Sequence, residues 1–329
     1  MINKDQKLNP KIFERDCEQE PIRKGFGVGL LAAGELDANV VGLCADLTES
    51  TQMHLFANKF PKRFIEIGVA EQNLVTVASG LAHMGKIPFV SSYAMFSPGR
   101  NWEQIRTTIT YNNVPVKIVG SHAGVSVGPD GGTHQAIEDI ALMRVLPRMV
   151  VVAPCDSIEA KKATLALAKN NQPSYLRLAR EKTPVITTDE SPFEIGKANL
   201  LWEKEKPEVA IIACGSLVHN ALLAASELWH QGTSVLVLNL HTIKPIDEKA
   251  VIEVAKRAGA VVTVEEHQVV AGMGSAVAEV LAANYPVPIE FVGVPDVYGQ
   301  SGEPNELVKH FGLDKKGIME KARKVIRRK

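Results

Sequence analysis

One feature constrains this chain more than any other: short β-branched runs alternate with longer amphipathic stretches. The runs are VVGLC (40–44), FIEI (64–67), FVSS (89–92), VKIVG (116–120), MVVVA (149–153) and YLRL (175–178), with helical patterns such as 71–85, 101–112 and 158–171 between them. A strand that is apolar almost throughout leaves no face for water, so both faces of its sheet must be covered. Helices returning between parallel strands provide that cover. The pattern lapses over TTDESPFEIGKANLLWEKEKP (187–207), which is polar and interrupted by Pro192 and Pro207. It resumes with VAIIAC (209–214), SVLVLNL (234–240), AVVTVEE (260–266) and IEFVGV (289–294). The expected fold is α/β, with two mostly parallel-sheet α/β domains in tandem. We place them at 1–190 and 207–329, with a linker at 191–206 holding one short strand.

Composition removes several function classes. The 329 residues carry 37 basic and 37 acidic side chains, a net charge of zero. That removes the electrostatic drive toward nucleic acid or an anionic membrane surface. No apolar run reaches transmembrane length. The opening segment, MINKDQKLNPKIFERDCEQEP, lacks the apolar core of a signal peptide. Cys17, Cys44, Cys155 and Cys214 lie far apart with no CxxC pair. They read as free thiols of a cytoplasmic protein rather than a disulfide framework or a zinc site.

Dinucleotide fingerprints are the first motifs to test in such a fold. Gly25, Gly27 and Gly29 have the wrong spacing, and Val277 stands where a third glycine should follow Gly272 and Gly274. Both runs read as helix packing. Glu71 follows a strand and opens an apolar helix. It is either a first-turn carboxylate favoured by the helix dipole or a carboxylate at a strand's C-terminal end, where parallel sheets bind ligands. SHAGVSVGPDGGTHQ (121–135) is longer than an ordinary connection and carries His122, Asp130, His134 and four glycines. It is a plain surface loop or a substrate loop. His134 is expected near a helix N-terminus, which would keep it neutral. Two histidines so far apart with one aspartate are not a usual metal set. Tyr93, Phe96 and Trp102 fall within ten residues in a chain only 5% aromatic, as core packing or a cofactor platform.

Taken together, RFIEIGVAEQNLVTVASGLAHMGKIPFVSSYAMF, SHAGVSVGPDGGTHQAIEDIALMRVLPRMVVVAPCD and PSYLRLARE resemble the pyrimidine-binding domain of transketolases. AGMGSAVAEVLA and GVPDVYGQSG resemble the last domain of the same proteins. The resemblance runs from about residue 20 to the end. It implies thiamine diphosphate as cofactor, with Glu71 hydrogen-bonding its aminopyrimidine and so creating a base beside the reactive carbon. It implies further that Tyr93 and Phe96 pack that ring and that Asp46 lies near the thiazolium. His122, Asp130 and His134 match positions that bind sugar hydroxyls and carbonyl, with His122 and His134 joining Glu71 as catalytic residues. Arg23, Ser50 and Arg180 match the group holding the sugar phosphate, for which arginine's planar fork is suited. Two departures stand out. The register after Phe96 shifts, leaving Trp102 as a displaced aromatic, and Glu181 follows Arg180 where the family has glutamine, which makes Arg177 a rival.

The GDG…N motif that holds the diphosphate and Mg2+ is missing, so the resemblance implies the C-terminal half of a split transketolase. An N-terminal subunit would supply that motif in an α2β2 assembly, with this chain also forming a homodimer contact. The expected reaction moves a two-carbon ketol unit from a ketose phosphate to an aldose phosphate. The rivals are a 1-deoxyxylulose-5-phosphate synthase-like or 2-oxoacid-decarboxylating subunit, and a non-catalytic paralogue.

Overall fold

The computed structural model describes residues 1–329. Two α/β units follow one another, each built on a mostly parallel sheet. The first sheet has seven strands in the order Thr242–Lys244, Val150–Val152, Ser174–Arg177, Lys117–Ser121, Ile87–Tyr93, Val40–Cys44, Phe64–Glu66. All neighbouring pairs are parallel except the one made by Thr242–Lys244, which runs antiparallel at the edge. The second sheet has five strands in the order Ile289–Val294, Val261–Gln268, Val209–Ala213, Val235–Asn239, Asn199–Trp202. Asn199–Trp202 is antiparallel there and is the one strand within the polar stretch 187–207.

The apolar periodicity explains the helices. In Glu71–His83 the side chains of Leu74, Val75, Ala78 and Ala82 are buried at helical spacing against the first sheet. Helix Ile22–Leu36 lies against helix Ser157–Ala168 so closely that a Cβ at Gly25 would collide with the Ser157 carbonyl. At Gly29 an added Cβ would meet Thr164. The stretch 101–112 is less regular than its pattern predicts: a single turn, Trp102–Gln104, passes into a π-helix at Ile105–Thr110.

The two units are not separated by a free linker. One apolar cluster runs without a break from Val41, Ile118 and Tyr175 to Ile212, Leu236 and Val277. The chain crosses between the units twice more. Ile2 bridges to Trp202 and Ile12 is buried in the second core, while Thr242–Lys244 joins the first sheet. No helix is long and apolar enough to cross a membrane. All four cysteines are free and buried.

Candidate active site

The parallel strands of the first sheet end along one edge, and most of the residues singled out in the sequence leave from there. Tyr93 ends Ile87–Tyr93, His122 follows Lys117–Ser121, Arg180 follows Ser174–Arg177, and Asp46 and Ser50 follow Val40–Cys44. Glu71 opens its helix just beyond Phe64–Glu66. The C-terminal edge of a parallel sheet is where helix N-termini and free loops leave room for a ligand.

Glu71 is 1% exposed. Its carboxylate accepts hydrogen bonds from Arg100 Nη1 (2.7 Å) and Ser92 Oγ (3.2 Å). Its carbonyl accepts one from Asn101 Nδ2 (3.0 Å). Glu71 lines a depression of about 540 Å³ together with Ala70, Asn73, Thr76, Arg100 and Gln104. The Arg100 guanidinium lies 4.9 Å from the centre of the Phe96 ring. From Phe96 an aromatic row continues. Tyr93 is stacked at 6.4 Å, and His122 stacks on Tyr93 at 4.0 Å. His134 meets Phe96 edge-on at 5.4 Å.

His122 is buried, with a backbone φ of +57°. Its Nδ1 is 2.9 Å from Ser121 Oγ, and its Nε2 is 3.4 Å from Arg23 Nη1. A guanidinium only donates, which assigns the ring proton to Nδ1 and leaves Nε2 as an acceptor. Burial pushes the imidazole down to about 3, with the charges of Arg23, Arg180 and His134 adding to it, so the ring is neutral.

Arg23 donates to the Ser50 carbonyl (2.6 Å), while its buried Nε has no partner. Burial, then the neighbouring Arg180, lower its pKa. Two guanidinium groups converge with one buried N–H unmet, an arrangement that favours an anion. Ser50 contributes its carbonyl rather than its hydroxyl. Arg180 donates to Val127 O (2.5 Å), and its Nε lies 3.6 Å from the Glu181 carboxylate.

The rival Arg177 is committed elsewhere. It is buried and ion-paired with Asp139 (2.8 Å), and it donates to the carbonyls of Glu266 and Ala136. Trp102 is likewise structural: its indole N–H donates to Leu142 O (2.8 Å), and the ring packs on the core. One further expectation is corrected. His134 is not at a helix N-terminus, because the next helix starts at Asp139; Thr133 Oγ1, 3.0 Å from its Nδ1, and the aromatic edges position it instead. Asp130 is exposed at the end of the turn Val125–Asp130 and makes no side-chain hydrogen bond. Asp46 is exposed at φ +58°, and its N–H donates to Glu66 Oε1 (2.7 Å).

Segment 121–135 is a built loop rather than a loose one. Gln135 Nε2 donates to the carbonyls of Val125, Gly128 and Gln300. Glu266, from the second unit, accepts from Ser126 N (2.6 Å) and Ser216 Oγ (2.8 Å). A Cβ at Gly124, where φ is +88°, would collide with that carboxylate. Sequence reasoning missed Arg100, Ser92, Gln135 and Glu266. Arg100 was visible inside the aromatic segment, whereas nothing local marks Glu266 as reaching into the other unit.

Elsewhere the glycines Gly272 and Gly274 do pack a helix. The N–H groups of Met273 and Gly274 hold the Glu265 carboxylate (2.6 and 2.7 Å), so this helix N-terminus already has its anion. A cavity of about 620 Å³ lies in the second unit between Val270, Glu290, Phe291, Phe311 and Lys321, and shares no residue with the cluster above. No three His, Cys, Asp or Glu side chains are grouped to hold a metal ion.

Comparison with known proteins adds the following. The family model "Transketolase, pyrimidine binding domain" matches residues 19–185, and "Transketolase, C-terminal domain" matches 196–318. A Methanocaldococcus jannaschii protein, named provisionally a transketolase C-terminal section, is 45% identical over 92% of this chain and 96% of its own length. The 6-deoxy-6-sulfo-D-fructose transketolase subunit SqwH of Clostridium sp. (strain MSTE9) is 41% identical over 96% of this chain and 98% of its own. A split-gene transketolase solved as an inactive β4 tetramer superposes with a TM-score of 0.86 at 40% identity, covering 94% of this chain and 99% of the other.

Proposed function

Because the chain belongs to the transketolase family, as its C-terminal half, we propose that it is the β subunit of a split thiamine-diphosphate-dependent transketolase. It transfers a two-carbon ketol unit from a ketose phosphate to an aldose phosphate. An N-terminal subunit supplies the site for the diphosphate and Mg2+, in an α2β2 assembly in the cytoplasm whose homodimer contact runs through this chain. The observation that carries this reading is the pairing of two features at one sheet edge: a buried carboxylate beside an aromatic row, and two converging arginines with an unmet N–H.

The residues present fit the cofactor's pyrimidine half. Glu71 offers a buried carboxyl group that, with one proton shared between them, can hold a ring nitrogen by a charge-assisted hydrogen bond. Phe96 and Tyr93 offer aromatic faces beside it. Thiamine diphosphate, when bound, supplies the electron sink for breaking the ketose C2–C3 bond. Glu71 would share its proton with the pyrimidine ring nitrogen, which would let the exocyclic nitrogen act as a base. His122 stays neutral, and its Nε2, which accepts from Arg23 in the empty site, becomes an acceptor for a sugar hydroxyl once Arg23 turns to the bound anion, while His134 flanks the same space. Arg23 and Arg180 hold the anionic end of the sugar. The sugar in the name of the Clostridium relative, 6-deoxy-6-sulfo-D-fructose, carries a sulfonate at its end, a tetrahedral anion that such a pair also suits. Asp130 and Asp46 are exposed and free to reach a bound sugar or the cofactor's thiazolium end.

The test is reconstitution with an N-terminal transketolase subunit. Ketol transfer from xylulose 5-phosphate to ribose 5-phosphate is expected from the complex with thiamine diphosphate and Mg2+, and none from this chain alone. Turnover by the pure chain, or a complex that takes pyruvate rather than a ketose as donor, would overturn the proposal.

A further inference from the structure

The Glu71 carboxylate has an occupant. Arg100 donates to it at 2.7 Å and at the same time lies 4.9 Å from the centre of the Phe96 ring. A guanidinium is flat, delocalised and rich in N–H donors, and it stacks on aromatic faces. An aminopyrimidine is also flat and nitrogen-bearing, and its two recognition partners here would be the same carboxylate and the same ring. Arg100 therefore makes both contacts that the proposed ligand needs.

Four further observations bear on how firmly it is held. The Glu71 side chain is 1% exposed but the Arg100 side chain is 49% exposed, so the arginine reaches in from the surface and can swing back to water. Both lie on the wall of the same depression, so the carboxylate becomes accessible there once the arginine leaves. When it leaves, Glu71 keeps Ser92 Oγ as a donor. Arg100 stands just before Asn101, whose amide is tied to the Glu71 carbonyl and to Ser97 Oγ. The backbone can thus stay fixed while the side chain moves.

We propose that Arg100 is a displaceable latch. In the empty site it holds the Glu71–Phe96 gap as a counter-ion, and the aminopyrimidine of the cofactor must displace it to bind. This rests on the reading of Glu71 as the pyrimidine acceptor. Displacing a half-exposed ion pair and its ring contact costs on the order of 1–2 kcal/mol. The wild-type chain gives up that much cofactor affinity, roughly five- to thirty-fold.

The experiment is a double-mutant cycle in the complex reconstituted with the N-terminal subunit. Thiamine diphosphate binding is read by calorimetry with Mg2+ present. Arg100→Gln is expected to tighten binding by roughly five- to thirty-fold, with Arg100→Lys in between because it keeps the charge but not the flat face. In the Glu71→Gln background the same Arg100→Gln change should leave the affinity unaltered. Unchanged or weaker binding in Arg100→Gln overturns the latch. So does tightening that persists without Glu71, which would mark a general structural effect. Circular dichroism and gel filtration identify a variant that fails to fold; Arg100→Lys, the milder change, then decides, and no tightening in it overturns the latch. If the wild-type complex binds no thiamine diphosphate at all, the functional reading falls and the latch with it.

Discussion

Replacing Arg23 tests the site most directly, because the structure separates its roles. Its guanidinium makes one bond to the Ser50 carbonyl, leaves Nε unmet in a buried position, and lies within reach of the Arg180 charge. A phosphate bound there would gain charge-assisted bonds worth roughly 1.5–3 kcal/mol each. Arg23→Ala should therefore raise KM for ribose 5-phosphate by about ten- to a hundred-fold in the reconstituted complex, with kcat changing far less. Arg23→Lys keeps the charge but loses the fork, and should fall between. The assay compares ribose 5-phosphate with ribose as acceptor, since ribose has no anion to lose. Its KM should be nearly the same in all three proteins. An equal loss with both acceptors would refute phosphate recognition and leave Arg23 as a support for the 47–50 turn. A second readout is internal. Burial is the main force holding His122 low, but Arg23 is the next, so its removal should move the imidazole pKa upward, visible by NMR.

Two more outcomes are expected. Glu71→Gln should lower kcat by about 10²–10⁴ while the complex still assembles; C2–H/D exchange of bound thiamine diphosphate near the wild-type rate would show Glu71 to be only a first-turn helix residue. His122→Gln should flatten acid denaturation. The folded imidazole sits at about 3 against an ordinary value of 6.5, so below pH 6.5 the unfolded chain takes up a proton that the folded chain refuses. Wild type should lose roughly 2 kcal/mol relative to the variant between pH 7.5 and pH 5, read by urea titration. Glu159, pushed up to about 7 by burial, acts in the opposite direction but equally in both proteins, so it cancels. Identical pH profiles would sink the assignment.

Much of this protein is legible in one dimension. The apolar runs fix the parallel strands because a strand without a polar face can be satisfied only inside a covered sheet. Val40–Cys44 and Ile289–Val294 fall where the composition puts them. The position of Glu71, Tyr93, His122 and Arg180 at or just past strand ends follows from the same alternation, which sends every such residue to one edge. Short edge strands such as Gln19–Pro21 and Lys182–Pro184 were not legible, since three residues carry no periodicity and form only by pairing with each other.

What only the tertiary structure decided is partnership. Arg177 and Arg180 stand three residues apart with the same chemistry, yet Asp139 neutralises the first and the second remains beside Arg23. Trp102 and Phe96 both read as platform aromatics, but a carbonyl forty residues along the chain claims the indole. Glu266 shapes the loop around His122 from the other unit, and Arg100 covers Glu71 from the turn before Trp102–Gln104. The sequence by itself determined which backbone is buried, because burial depends on local apolarity and period. Which charge meets which depends on distances of a few ångströms between segments far apart in the chain, and only packing sets those.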